Sequence, residues 1–290
     1  MSTTTFTTVL DHSTDAAFRT WAAELITEFV TAGATQTSDT GQINTTTVTR
    51  ASASSDAGYA IFRNGDSSIF WKLYFGTGSN AAYPRIRIEV ATGSNGSGTL
   101  TGQGNGVITD CSTSSSSISS TTTLYTSYIC VTNIAVSFLW KVNAPSSGYS
   151  YACVNVCRTV DSAGAVSSIG FSVITRAVST SGSPVSRTHR TAASAVSPAS
   201  SSYFCLAAGN PTASALQNGD IQAYLWWHNA PEVLPNVGGC CFVEAEVAPL
   251  TTVSVALVGA VSHTYLVGPA GDAGAANAGA GAHVNAFIYE

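Results

Sequence analysis

Between Asp15 and Ala32, apolar residues fall at Phe18, Trp21, Ala22, Leu25, Ile26, Phe29 and Val30. Steps of three and four set them along one face of a helix. The pattern predicts an amphipathic helix packed on a sheet. Thr14 or Asp15 is placed to cap its start, Gly33 to end it, and Glu24, Thr27, Glu28 and Thr31 to form its wet face. Strand patterns follow. Tyr59–Arg63 and Ser68–Phe75 flank Asn64-Gly65, a dipeptide that signals a tight hairpin turn. Ser68–Phe75 is apolar on both faces, so cover is expected on both sides, by the helix on one and a neighbouring subunit on the other. Pro84–Val90 alternates, with Ile86, Ile88 and Val90 directed inward and Arg85, Arg87 and Glu89 outward. Residues 92–106 then read as a Gly-rich loop.

The second half continues in the same style. Strands are expected at Thr123–Val131, Ile134–Val142, Tyr149–Val160, Ser167–Arg176, Ser202–Ala207, Ile221–His228, Cys241–Val247, Thr251–Val258, His263–Val267 and His283–Tyr289, with a hairpin turn at 161–164. Short strands separated by Gly, Ser and Pro point to a sandwich or jelly roll. The fold class expected is therefore mainly β: one N-terminal amphipathic helix packed on a β-sheet, followed by a β-sandwich or jelly-roll-like unit. The Ser-rich run near 107–120 lacks periodicity. It suggests a boundary between a helix-plus-sheet unit at 1–110 and an all-β unit at 111–290. The Gly/Ala-rich stretch 268–282 is too short for a collagen repeat. It and the 92–106 loop are the segments expected to contact neighbouring subunits.

Composition narrows the function. Charged residues make up 9% of the chain, against about 25% in an average protein. The only lysines are Lys72 and Lys141, while Ser and Thr abound, as in the run 111–123. A hydroxyl-covered surface repels copies of itself weakly and suits assembly. The net charge of −5 offers no basic stripe. Only Arg187 and Arg190 lie close together in a loop-like stretch, so no nucleic acid is expected as a partner. No apolar run of about 18 residues suggests membrane insertion. The first residues, MSTTTFTTVLDHSTD, lack the regions of a secretory leader, so synthesis in a host cytoplasm without a signal peptide is expected. The 7 cysteines, at 111, 130, 153, 157, 205, 240 and 241, show no zinc spacing and read as buried reduced thiols. Cys153 and Cys157 would lie ~13 Å apart along one strand, too far to bridge.

The chain contains no nucleophile elbow, zinc-protease motif, Walker A motif or dinucleotide fingerprint. No cofactor or metal site is expected, and His12, His189, His263 and His283 lack ligand spacing. Glu244 and Glu246 would share a strand face ~7 Å apart, which matches a glycosidase pair in distance but is also ordinary exposed strand. Tyr224, Trp226, Trp227 and His228 form an aromatic cluster suited to an interface or to stacking on a sugar, and Trp71 joins them as a candidate contact.

Residues 10–105 carry a resemblance. The order runs from the helix with Phe18, Arg19 and Trp21, through Thr35 to Asn44, Gly58 to Arg63 and Tyr74 to Gly78, to the stretch from Pro84 to Gly102. This string resembles virion structural proteins of tailed bacteriophages. The resemblance implies a place in the particle, in the tail, baseplate or fibre region, with capsid decoration as the alternative, and brings no catalytic residues. The expectation is a non-enzymatic virion subunit that assembles with itself and with other phage structural proteins. Binding of a host-surface glycan or receptor is the second reading, and polysaccharide cleavage the third.

Overall fold

The computed structural model describes residues 14–65, 69–78, 84–102, 126–133 and 135–138 with their side chains, and elsewhere the backbone course of strands between Ser2 and Ile288. The protein is mainly β with one N-terminal helix. The chain opens with β1 (Ser2–Asp11) and continues into α1 (Asp15–Thr31). Next come β2 (Thr35–Gln36), β3 (Asp56–Arg63), β4 (Phe70–Thr77), β5 (Pro84–Ala91), β6 (Gly93–Ser94), β7 (Leu100–Thr101) and β8 (Val107–Ser112). β9 (Thr122–Val131), β10 (Ala135–Val142), β11 (Tyr151–Val160), β12 (Val166–Ala177), β13 (Ser186–Arg190) and β14 (Ala195–Val196) follow. Two large sheets result, a five-stranded sheet in the order β2-β3-β4-β5-β8 and a seven-stranded sheet in the order β1-β9-β10-β11-β12-β13-β14. The later strands Tyr203–Cys205, Leu225–Asn229 and Glu232–Leu234 pair together, as do Cys240–Glu244, Thr252–Ala256, Ser262–Val267 and His283–Ile288. Every described pairing is antiparallel.

The helix forms where its pattern placed it. Thr14 is extended, and its hydroxyl accepts the Ala17 N–H at 3.1 Å. At the other end Ala34 N–H reaches the Phe29 carbonyl, and Gly33 takes the left-handed φ of 105° that closes the last turn. Thr20, Thr27 and Thr31 donate their hydroxyls to carbonyls one turn back, at 2.9–3.2 Å. Phe18, Trp21, Ala22, Leu25 and Phe29 are buried. Val30, expected on the same face, is 46% exposed, because it sits about 100° round the axis from Phe29.

Phe29 joins the layers. Its ring lies 4.7 Å from Trp71 and 5.7 Å from Phe62, both in the five-stranded sheet, and 5.6 Å from Phe138 on β10 of the other sheet. Trp21 meets Phe75 edge-on at 5.6 Å. The same core takes in Leu73, Ile86, Ile88 and Val90 from one sheet, and Ile129, Val131 and Val136 from the other. Residues on both sides of the 107–120 run thus share one core, and β1 pairs residue for residue with β9, Ser2 opposite Val131 and Asp11 opposite Thr122.

Several sequence expectations change. Asn64-Gly65 does lie in the connection of the β3–β4 hairpin, and the Asn64 N–H donates to the Ile69 carbonyl at 3.0 Å, one step beyond the Arg63–Phe70 pair, but Asn64 has a second task. Asn64 is fully buried. Its Nδ2 donates to the carbonyls of Thr132 and of Ala135, the latter at 3.0 Å, and its Oδ1 accepts the Trp71 indole N–H at 3.1 Å. The buried amide thus serves long-range packing in addition to the local hairpin. Arg187 and Arg190 lie on β13, not in a loop. On the outer face of β4, residues 93–101 of the same chain supply cover through Gly98 and Leu100.

Replacing Asn64 by Leu should remove a donor from the Thr132 and Ala135 carbonyls and the acceptor of the Trp71 indole. A loss of about 3 kcal/mol is expected in urea unfolding followed by tryptophan fluorescence. Asn64→Asp should lose at least as much at neutral pH and recover part of it in acid. A buried carboxyl facing two carbonyls has a raised pKa, and stability falls as pH rises through it.

Candidate functional site: the cation–aromatic face of the five-stranded sheet

Alternation along β3, β4 and β5 turns one set of side chains to the core and the other away. The register sets Tyr59, Tyr74 and Arg87 in one row and Ile61, Lys72 and Glu89 in the next. This outer face is half-buried and highly connected. The Lys72 ammonium lies 3.8 Å from the Tyr59 ring centre and 4.8 Å from that of Tyr74, and it donates to the Gly98 carbonyl at 2.7 Å. Arg87 also lies over the Tyr74 ring, at 4.7 Å, and forms a forked ion pair with Asp56. The Tyr74 hydroxyl donates to Glu89 at 2.8 Å, and the Tyr59 hydroxyl to the Thr40 carbonyl at 3.1 Å.

Residues 93–101 form the strap that this face holds down. β6 and β7 pair, Gly93 with Thr101 and Ser94 with Leu100. Leu100 packs on Ile61 and Ala91 beside Tyr59 and Phe70. Asp39, 8% exposed, accepts the Ser94 hydroxyl and, at 3.2 Å, the Gly98 N–H. Gly98 adopts a φ of +88°, and a Cβ there would run into the Tyr59 hydroxyl, so only glycine lets the strap approach this closely.

The charges respond to burial. Desolvation lowers the Lys72 pKa, against the attraction of Glu89 and Asp39. Burial pushes Tyr74 well above its ordinary value, and its bond to Glu89 adds to the shift. Burial alone would raise Asp39, but hydrogen bonds led by that from Ser94 hold it below the ordinary carboxylate value. Each of these reactive side chains is engaged by its own chain. The arrangement acts as an adhesive between sheet and strap.

The sequence-stated candidates lie elsewhere. Trp71, expected at an interface or glycan contact, is wholly buried and stacks on Phe62 at 4.4 Å. Its parity along β4 turns it toward the helix. Trp226, Trp227 and His228 occupy consecutive positions on the strand Leu225–Asn229, opposite Phe204, Tyr203 and Val233 respectively. Their side chains, and Tyr224, lie outside the described residues. Glu244 ends a strand, opposite His283, while Glu246 and His12 fall outside. His189 and His263 lie on separate sheets. Among the described residues no cluster of His, Cys, Asp or Glu could hold a metal ion, and no helix is long and apolar enough to cross a membrane. The sequence reading missed the Tyr59–Lys72–Tyr74–Arg87 array, although the positions of Lys72, Arg87 and Glu89 opposite the core parity carried its signal. No protein-family model, curated protein or solved structure matches the chain.

Lys72→Met keeps the stem and removes the ammonium. Amide hydrogen exchange should speed up across 93–101 while α1 and β4 keep their protection, with a global loss of about 1 kcal/mol. Tyr74 gives an alkaline signature. Its folded pKa lies above the unfolded value of 10.0, so the folded state holds a proton that the unfolded state releases. Stability therefore falls as pH rises beyond about 10, and a Tyr74→Phe variant should show a flatter alkaline limb in urea titrations.

Proposed function

We propose that the chain is a non-enzymatic structural subunit of a bacteriophage particle, associated with the tail, baseplate or fibres and located in the virion. It works by assembly with copies of itself and with other phage structural proteins. The observation that carries this reading is how the chain uses its few charges. Lys72, Arg87, Asp56, Glu89 and Asp39 hold its own strap and sheet together, and Asp15 binds Arg50 of the loop beside the helix. With 9% charged residues in all and an abundance of Ser and Thr, the composition supplies few further charges for the surface. Such a surface lacks the self-repulsion that keeps a freely diffusing protein apart from its neighbours. The resemblance of residues 10–105 to tailed-phage virion proteins gives the same direction.

Mass spectrometry of purified particles, with copy number per particle, tests the proposal. A low copy number set by ring or fibre symmetry is the expected result. A high copy number would move the chain to the capsid surface as a decoration protein. Absence from washed particles would overturn the reading.

A further inference from the structure

Two Asn-Gly dipeptides fall within the described residues, Asn64-Gly65 and Asn95-Gly96. An asparagine followed by glycine is open to a known rearrangement. The glycine amide nitrogen attacks the side-chain carboxamide, and the absence of a Cβ on the glycine leaves the approach unhindered. The fold gives these two asparagines opposite surroundings.

Asn64 is locked. Both ends of its carboxamide are bonded, to Thr132, Ala135 and Trp71, and turning it toward Gly65 would break those bonds in a buried site. Asn95 is arranged the other way. Its Oδ1 accepts two backbone N–H groups, from Ser97 at 2.9 Å and Thr99 at 3.1 Å. These donors converge on the atom where negative charge develops in a tetrahedral intermediate. The attacking group, the Gly96 N–H, donates to Ser94 Oγ at 3.4 Å, and Ser94 in turn donates to the Asp39 carboxylate. That chain gives the amide proton a path to a base. The Thr40 N–H holds the Gly96 carbonyl at 3.0 Å, and Gly96 keeps a φ of +78°, so the nucleophile is fixed in place.

We propose that Asn95 is a self-modification site, at which the folded chain cyclises Asn95 onto Gly96 and converts it to aspartate and isoaspartate. A bond forms between Gly96 N and Asn95 Cγ as the bond from Cγ to Nδ2 breaks. The amide proton moves through Ser94 to Asp39, which passes it to solvent, and a solvent water protonates the departing nitrogen, which leaves as ammonia. Water then opens the five-membered imide at either carbonyl, so the balance is amide plus water to acid plus ammonia. The product carries a carboxylate where the neutral amide of Asn95 faced the Ser97 and Thr99 N–H groups. Its isoaspartyl form also lengthens the backbone by one atom, which draws the Gly96 carbonyl away from Thr40 and loosens the strap. This inference is independent of membership in a particle.

The test is incubation of the full chain at mildly alkaline pH, with peptide mapping by mass spectrometry for amide-to-acid conversion and isoaspartate. In the folded chain Asn95 should convert faster than in the urea-unfolded chain, and about tenfold or more faster than Asn64. Ser94→Ala should slow Asn95 by about tenfold, and Asn95→Gln should leave 93–101 unconverted. The proposal fails if Asn95 in the folded chain converts no faster than in urea. It also fails if Asn64 keeps pace with it, or if Ser94→Ala converts at the unaltered rate.

Discussion

The structure depends on a single buried amide. Asn64 sits where β3 leaves the five-stranded sheet, and its side chain reaches 68 and 71 residues along the chain to the turn between β9 and β10. A buried polar group is tolerable only when it is bonded, and here one amide meets three partners at once. The Thr132 and Ala135 carbonyls receive donors, and the Trp71 indole gains an acceptor. An apolar contact slides at little cost, whereas this one admits a single arrangement. It sets the register between two sheets that the Phe29 ring then cements through Phe62, Trp71 and Phe138.

From that fixed frame the two faces of the five-stranded sheet take different tasks. The inner face is all burial, with large rings between helix and strands at roughly 25 cal/mol for each Å² removed from water. The outer face uses fewer apolar atoms and more directed contacts. Lys72, one of two lysines in the chain, is placed between Tyr59 and Tyr74 and under the Gly98 carbonyl. Sharing two rings and a carbonyl offsets part of the desolvation of its charge, and the remainder appears as a lowered pKa. The strap is therefore held by geometry that only these partners meet.

The two Asn-Gly dipeptides show how one local sequence acquires different chemistry from its surroundings. Asn64 is held by a buried acceptor pair and becomes structural, whereas Asn95 lies against convergent N–H donors and a hydroxyl–carboxylate relay. Nothing in the dipeptide itself distinguishes them.

Element type was legible from residue order alone. The spacing of Phe18, Trp21, Leu25 and Phe29 defines α1 almost to its ends, and the alternation from Pro84 to Val90 defines β5 and which of its residues face the core. These are local properties, because the period of hydrophobic residues matches the period of the element itself. Strands such as Ser2–Asp11, Val107–Ser112 and Ser186–Arg190 escaped the reading because Ser, Thr and Arg hide the alternation. What covers a face was decided only in three dimensions. That the second side of β4 meets residues 93–101, that Asn64 bonds across to β9 and β10, and that β1 pairs with β9 all require segments distant in sequence to close on one another. Closure of that kind selects among partners by the fit of whole surfaces, and no single segment carries the information that would name its partner.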